Sequence, residues 1–391
     1  MAFVTALLAV PCEVALSAGN YENLSEVLSA EQDRIRVIDT ASKTSVSVFA
    51  GSSGGGSGVL ISPDGYALTN FHVVQPAGIA MQCGLNNGRL YEAVLVGLDP
   101  TGDLAVIKLI GKEAFPYAPI GDSGTVAVGD LCYTIGNPFL LATNLQPSVS
   151  AGIVSGVHRY QFPAGTLLEY ADCLQVDAAI NPGNSGGGLF NASGELIGIN
   201  GRASFEKRGR INVGAGYAIS SNQVQNFLGI LKSGHLADHA TLGATVATST
   251  DGRVVVSDIL ESSDTWRKGL RIDDEIIELA GRRVRSVNAF KNILGTLPAG
   301  WRVPLVFRRN GRPSEIFIEL AGVHTPAMLN ELMAGRRAPL PKNKPGDSPK
   351  PKQNPLAPDP ADLPESIRKF YEPRFGYANF YFNRIELQRV R

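Results

Sequence analysis

Asp177-Ala-Ala-Ile-Asn-Pro-Gly183-Asn-Ser185-Gly-Gly-Gly-Leu-Phe190 places one serine inside a glycine-rich turn between two apolar stretches. Glycine lets the backbone bend where other residues clash, so the N–H groups of Gly183 and Ser185 can converge on one spot. Two such donors would stabilise an oxyanion, often the greatest single contribution to acyl-transfer catalysis. A serine hydroxyl is nevertheless a poor nucleophile alone. It needs an imidazole to take its proton and a carboxylate to hold that imidazole in the right tautomer.

Both partners lie upstream. Gly58-Val-Leu-Ile-Ser-Pro-Asp-Gly-Tyr-Ala-Leu-Thr-Asn-Phe-His72 reads as a strand, a turn at Pro63-Asp-Gly65, a second strand and a histidine at its end. Asp99-Pro-Thr-Gly-Asp103-Leu-Ala-Val-Ile-Lys-Leu109 sets an acid at the entry to a buried strand. Taken singly, His72 reads as a structural histidine and Asp103 as a turn cap beside Gly102, whereas the serine turn already favours a catalytic reading over an ordinary surface loop. In the order His, Asp, Ser within one β-rich segment, they point to a triad.

The surroundings fit an enzyme. At ~150 residues per domain, 391 residues suggest two or three domains. With 36 basic and 36 acidic side chains the net charge is zero, which argues against nucleic acid as a partner. No stretch approaches the ~20 unbroken apolar residues of a membrane-spanning helix. Four cysteines (Cys12, Cys83, Cys132 and Cys173) make no disulfide scaffold and no CxxC pair, and Cys132 and Cys173 read as buried thiols. Triad chemistry implies no metal or organic cofactor.

Residues 1–18 read as a secretory signal peptide, an apolar run ending in Ala15-Leu-Ser-Ala18. The run lacks a preceding Lys or Arg, so a buried strand or an imprecisely placed start codon is the competing reading. Leu24, Val27, Leu28, Ile35 and Ile38 recur at helical spacing and predict an amphipathic helix. From 45 to 218 short β-rich runs alternate with Gly, Asn, Asp and Pro, predicting an all-β barrel or sandwich. A helix is expected at 222–231. A second unit follows at 241–322, with strands at 253–257, 275–279 and 302–308 and helices at 263–268 and 287–294. Nine prolines between Pro339 and Pro364 mark an extended linker, assigned to 323–364. The aromatic segment 365–391 reads as a docking element or the start of a truncated domain.

Residues 45–231 closely resemble the trypsin-like serine proteases of the HtrA/Deg family. The resemblance rests on Gly56-Ser-Gly-Val-Leu-Ile61, Thr69-Asn-Phe-His72-Val-Val74, Asp103-Leu-Ala-Val106, Ile135-Gly-Asn-Pro138 and Ala179-Ile-Asn-Pro-Gly-Asn-Ser185-Gly-Gly187. It implies a mainly β fold, a chymotrypsin/trypsin-like double six-stranded β-barrel over 19–240. It implies His72 as general base and acid, Asp103 as its orienter, Ser185 as nucleophile, and Gly183 and Ser185 as the oxyanion hole. Ala179, six residues before the serine, would lie at the base of the primary specificity pocket. Gly188 stands where the family often has proline, and 51–58 is too short for the long regulatory loop of some members.

Residues 241–322 resemble the circularly permuted α+β PDZ domain attached to such proteases. The matching blocks are Val254-Val-Val-Ser-Asp-Ile-Leu260, Lys268-Gly-Leu270, Asp274-Glu-Ile-Ile277 and Gly281-Arg-Arg-Val284. Leu242, Gly243 and Ala244 stand where the carboxylate-binding turn would be, implying capture of C-terminal peptides. The expected activity is ATP-independent serine endopeptidase action on unfolded or misfolded proteins, in a periplasmic or secreted location and as a homo-oligomer, a trimer by resemblance. The competing class is a catalytically silent peptide-binding adaptor or holdase with the same folds.

Overall fold

A computed structural model describes residues 22–50, 55–111, 114–137, 144–161, 169–205, 212–333 and 365. The signal-peptide segment and nearly all of the aromatic tail lie outside the described residues.

The apolar runs up to residue 109 form β1 (Ser45–Phe49), β2 (Gly55–Leu60), β3 (Tyr66–Thr69), β4 (Ala80–Leu85), β5 (Leu90–Asp99) and β6 (Leu104–Leu109), closed into a barrel in the order β1-β2-β3-β6-β5-β4. A second barrel comprises β7 (Leu131–Gly136), β8 (Ser148–Gln161), β9 (Tyr170–Val176), β10 (Gly188–Asn191), β11 (Leu196–Phe205) and β12 (Asn212–Ser220), in the order β10-β11-β12-β9-β8-β7. Closure leaves neither sheet an unpaired edge. This is the double barrel of trypsin-like enzymes.

The runs Tyr66-Ala-Leu-Thr69 and Leu104-Ala-Val-Ile107 do not alternate apolar with polar, because both faces of these strands are covered. Ala67 and Ile107 join Val46, Leu60 and Leu95 in the first barrel's interior. Leu68 and Val106 instead meet Ile135, Tyr170 and Ile199 in a core shared by the two barrels. Val154, Leu174, Val176 and Leu189 fill the second barrel.

α1 (Glu22–Lys43) precedes β1, and only its end is anchored, through buried Ala41. Leu24, Val27, Leu28 and Ile35 are exposed, so among the described residues the apolar stripe read from the sequence is covered only at its end, where Ile38 packs against the shared core. α2 (Phe71–Val74) follows β3 directly. α3 (Ser221–Lys232) starts where the Ser220 hydroxyl accepts the Gln223 N–H, and it buries Val224, Phe227 and Leu231 in the shared core. Fully burying a side chain such as Phe227 contributes roughly 1.5–3 kcal/mol. Gly97 of β5 must be glycine, since a Cβ there would lie 2.2 Å from the Leu231 carbonyl oxygen.

The third unit begins with β13 (Ala240–Thr241), β14 (Ala244–Thr248), β15 (Val254–Ile259), α4 (Asp264–Arg267), β16 (Glu275–Leu279) and β17 (Arg282–Arg283). It continues with α5 (Val287–Gly295), β18 (Arg302–Arg309), β19 (Arg312–Glu319) and β20 (Ala321–Gly322). The sheet runs β14-β15-β16-β18-β19, and β13 pairs with β20, which ties the two ends of the unit together. Val256, Leu270, Ile276, Leu279, Ile293, Leu305 and Ile318 form its own core. The predicted elements are present, and β14 and β19, with the two-residue strands β13, β17 and β20, are additions. Pro326–Met333, assigned to the start of the linker, instead forms α6. Its Met328 and Leu329 N–H groups bond to the Thr325 hydroxyl and carbonyl, closing a first turn before the proline-rich run.

Cys83, Cys132 and Cys173 are buried free thiols. Burial, helped by the charge of Asp177, pushes Cys132 up to about 12, and burial alone pushes Cys83 higher.

The third unit is locked onto the barrels. Asn292 of α5 accepts the Asp172 N–H (2.9 Å) and donates to the His158 carbonyl (2.6 Å). Arg282 and His158 hold the Asp172 carboxylate at 2.9 and 2.8 Å. The connecting segment is equally fixed. Ala237 N–H bonds to the Leu98 carbonyl (2.8 Å), and buried His239 lies between the Asp99 carboxylate (2.8 Å) and the Gly295 carbonyl (2.6 Å).

Both ring nitrogens of His239 face acceptors, an arrangement satisfied when each carries a proton. Burial works against that charge, but Asp99, the Gly295 carbonyl and Glu169 together outweigh it, and the net pKa is raised. The imidazolium therefore stabilises the fold fully below the ordinary histidine value of ~6.5 and loses that contribution as pH climbs through the raised value. His239→Ala is expected to cost about 3–5 kcal/mol at pH 6, because it strands Asp99 in the interior. Urea unfolding at a series of pH values checks this. A gap between native and variant that does not shrink as pH rises would refute the charged pair.

Candidate active site

β3 ends at Thr69, and extended Asn70 leads into the single turn of α2, where buried Phe71, Val73 and Val74 anchor His72 from both sides. The ring is not buried with them, and 37% of the His72 side chain is exposed. Asp103 occupies the turn between β5 and β6 and is fully buried. Its φ of +60° is a left-handed conformation that aspartate tolerates better than most side chains. The turn is shaped by Asp99, whose Oδ1 accepts the N–H groups of Thr101 (3.2 Å) and Gly102 (2.8 Å).

Asp103 is held to His72 at several points. Its carbonyl accepts the Phe71 N–H (3.2 Å) and the Asn70 amide (2.9 Å). Its Oδ1 accepts the His72 backbone N–H at 3.0 Å, and the His72 ring Nδ1 lies 2.8 Å from Oδ2 and 3.0 Å from Oδ1. The Tyr170 hydroxyl donates to Oδ2 as well. A carboxylate in this position selects the Nδ1–H tautomer and leaves Nε2 to accept a proton.

The serine turn spans the segment between β9 and β10. Asn184 N–H bonds to the Asn181 carbonyl (2.9 Å), Gly187 N–H to the Asn184 carbonyl (3.0 Å), and Gly186 N–H to the Asn200 carbonyl (2.7 Å). Among the described residues, the N–H groups of Gly183 and Ser185 make no hydrogen bond, so both donors remain available. Gly183 has a φ of +101°, which glycine adopts freely. The Ser185 hydroxyl lies 3.4 Å from the Gly201 carbonyl oxygen.

This turn is stitched across the barrel junction to the elements that carry His72. Ser57 N–H bonds to the Ser185 carbonyl (2.8 Å), while the Ser57 hydroxyl donates to the Gly183 carbonyl (2.6 Å) and accepts the Asn137 N–H (2.8 Å). A Cβ on Gly186 would fall 2.4 Å from the Thr69 hydroxyl and 3.0 Å from Asn70 N, two residues from His72. The His72–Asp103 pair and the serine turn, separated in sequence, are thus tied to one junction between the barrels.

Ala179 is half-buried between buried Ala178 and Ile180, and its carbonyl accepts the Thr134 hydroxyl (3.1 Å). Ile180 packs against Gly216, where a Cβ would lie 2.7 Å from Cδ1. Asp177, the nearby acid, is exposed, and its carboxylate accepts the Ile153 N–H of β8 at 2.7 Å.

In the third unit Leu242 is buried, and its carbonyl accepts the Thr265 hydroxyl (2.8 Å). Gly243 has a φ of +68°, and its carbonyl accepts the Leu260 N–H (2.8 Å). Ala244 opens β14, the edge strand next to α5. A cleft of about 1320 Å³ between the second barrel and this unit, lined by His158, Asp172, Arg282 and Arg285, lies away from His72 and Ser185. Tyr170 and Ser57 carry no sequence signal, since each acts through a contact distant in the chain, whereas Asp99 shapes its turn locally through Thr101 and Gly102.

A family model for the trypsin-like peptidase domain matches residues 56–199. A probable periplasmic serine endoprotease DegP-like of Chlamydia trachomatis is 37% identical over 281 residues, covering 69% of this chain and 54% of its own length. The periplasmic serine endoprotease DegP of Escherichia coli (strain K12) is 36% identical over 277 residues, covering 68% of this chain and 56% of its own. The chain thus spans about half the length of the curated relatives it matches. Among solved structures, the HtrA-type protease AlgW with tripeptide superposes with a TM-score of 0.61 at 31% identity, over 75% of this chain and 98% of that one. A serine endoprotease from Yersinia pestis gives a TM-score of 0.53 at 30% identity, over 74% and 98%.

Proposed function

Since this chain belongs to the HtrA-type serine proteases, we propose that it is an ATP-independent serine endopeptidase acting on unfolded or misfolded proteins. The observation that carries this reading is the His72–Asp103 pair, with Nδ1 2.8 Å from Oδ2, together with a serine turn pinned to the same barrel junction. Ser185 Oγ attacks the scissile carbonyl carbon as His72 Nε2 takes the hydroxyl proton. The oxyanion settles between the Gly183 and Ser185 N–H groups. When the C–N bond breaks, His72 returns the proton to the leaving amine, and water then releases the acyl group by the same steps. Labelling of Ser185 by a fluorophosphonate, with hydrolysis of unfolded casein, tests the reading, and an unlabelled serine would favour a silent adaptor.

The third unit is read as a PDZ domain. A peptide would add a strand at the free edge of β14, its carboxylate meeting the Leu242–Gly243–Ala244 turn. The positive φ of Gly243 and the position of α5 beside β14 support this. AlgW, a relative, is known with bound tripeptide and decapeptide. The relatives' names place them in the periplasm, and the proposed location here is extracytoplasmic. No described helix is long and apolar enough to cross a membrane. The exposed Leu24, Val27, Leu28 and Ile35 of α1 suit a homo-oligomer, with a trimer proposed from the family.

Cleavage is expected after small or medium aliphatic residues. A substrate Lys or Arg would need a fixed carboxylate at Ala179, and Asp177 is instead committed to β8. An apolar pocket separates neighbouring aliphatic sizes by only ~1–3 kcal/mol per methylene, so the preference among Val, Ala, Ile and Leu is graded. Mass-spectrometric mapping of casein fragments checks it, and a majority of cuts after Lys or Arg would refute it.

A further inference from the structure

The structure assigns Tyr170 as a positioning residue, one whose hydroxyl fixes the Asp103 carboxylate against His72; this rests on the triad proposed above. Tyr170 opens β9 in the second barrel, whereas Asp103 and His72 belong to the first. The ring is buried in the shared core, and the hydroxyl donates to Asp103 Oδ2. A tyrosine buried that deeply needs a partner for its O–H, and a fully buried carboxylate needs donors. Each supplies what the other lacks.

The geometry gives this bond a function beyond satisfying two polar groups. Oδ1 is fixed by the His72 N–H (3.0 Å). His72 Nδ1 lies 2.8 Å from Oδ2 and 3.0 Å from Oδ1, so with the His72 donors alone the carboxylate could still turn about its Cβ–Cγ bond and exchange the oxygen that Nδ1 meets. The Tyr170 hydroxyl closes that freedom from the opposite barrel, so the plane of the carboxylate is set by donors from both sides of the cleft. The charge-assisted bond also draws charge from Oδ2, the oxygen 2.8 Å from Nδ1.

Gly201 supports the same arrangement. A Cβ on Gly201 would lie 2.5 Å from the Tyr170 hydroxyl, so the absent side chain is what leaves that oxygen its place. The Gly201 carbonyl oxygen in turn lies 3.4 Å from the Ser185 hydroxyl. Further titratable groups approach across the 99–102 turn: Asp99 paired with His239, and Glu169, whose N–H bonds to the Thr101 carbonyl (3.0 Å). Neither carboxylate bonds to His72 or Asp103 among the described residues.

Tyr170→Phe removes only the hydroxyl. Turnover of a fluorogenic peptide with an aliphatic residue at the cleaved bond is expected to fall roughly 10- to 100-fold, the size of one hydrogen bond to a charged group. KM should stay within about twofold, because no substrate contact is lost. With more charge left on Oδ2, the imidazolium is better stabilised, and the acid limb of the pH profile moves to higher pH. A purely structural role for Tyr170 would lower stability and leave that limb in place. Should Tyr170→Phe fail to fold, 3-fluorotyrosine at position 170 keeps the hydroxyl but makes it a stronger donor, and the limb is expected to move to lower pH. Fluorophosphonate labelling of the native protein separates failure of the triad from failure of this inference. If the native serine is unreactive, the two fall together. If it labels, and Tyr170→Phe or its fluorinated counterpart keeps native turnover and an unmoved acid limb, the inference alone is overturned.

Discussion

Ser185→Ala is expected to lower turnover of unfolded casein by on the order of 10⁶-fold while leaving the fold intact. The size follows from the chemistry. Without the hydroxyl there is no acyl-enzyme route, and His72 has no proton to take from the chain. The intact fold follows from how the turn is held. Its hydrogen bonds run from backbone N–H groups at Asn184, Gly186 and Gly187, and from Ser57 to the Ser185 and Gly183 carbonyls. The Ser185 hydroxyl itself makes only a 3.4 Å approach to Gly201, too long to contribute much. Alanine therefore keeps the turn and both oxyanion donors. Casein hydrolysis together with urea unfolding is the measurement. Near-native turnover would end the serine mechanism, and a collapsed unfolding midpoint would mean that the hydroxyl is structural.

Much of this site is legible in the sequence because its parts are local. The serine turn is contiguous, the strand–turn–strand run ends on His72, and Asp103 stands directly before an apolar strand. Apolar runs such as Leu104–Leu109 declare themselves as strands because both of their faces are buried. What stays hidden depends on contacts between segments far apart in the chain. Tyr170 precedes the serine turn as an ordinary strand residue, and only barrel packing brings it to Asp103. His239 lies in a stretch that reads as the joint between two domains. In the structure it is buried between Asp99 and Gly295, so that joint is part of the interface. β19 is silent in the sequence because its residues are mostly exposed and begin Arg312-Pro313, a composition that gives no apolar alternation. The proline-rich run masks the residues just before it, where a Thr325 cap allows α6 to form. Helical spacing identifies α1, yet spacing says nothing of whether a partner surface lies within the same chain.

Asp103→Asn carries the second-largest expected loss, about 10⁴-fold in turnover. The groups bonded to this carboxylate are donors: the His72 backbone N–H at Oδ1, the Tyr170 hydroxyl at Oδ2, and His72 Nδ1, which lies nearer Oδ2 (2.8 Å) than Oδ1 (3.0 Å). An amide must place its NH₂ at one of these two positions. At Oδ1 it would oppose the His72 backbone N–H, a donor facing a donor inside a closed site. The amide oxygen therefore stays at Oδ1, and the NH₂ takes the place of Oδ2, where it donates to Nδ1. That moves the ring proton to Nε2, and the nitrogen meant to accept the serine proton is already occupied. The Tyr170 hydroxyl can rotate to accept, so the cost falls on the histidine tautomer and not on packing. Asparagine also tolerates the left-handed backbone of this position, which keeps the 99–103 turn in place. The variant should unfold near the native midpoint, bind substrate normally and react with a fluorophosphonate far more slowly. Native turnover in Asp103→Asn would mean that the carboxylate does not set the tautomer, and an unfolded protein would mean that its buried charge holds the barrels together.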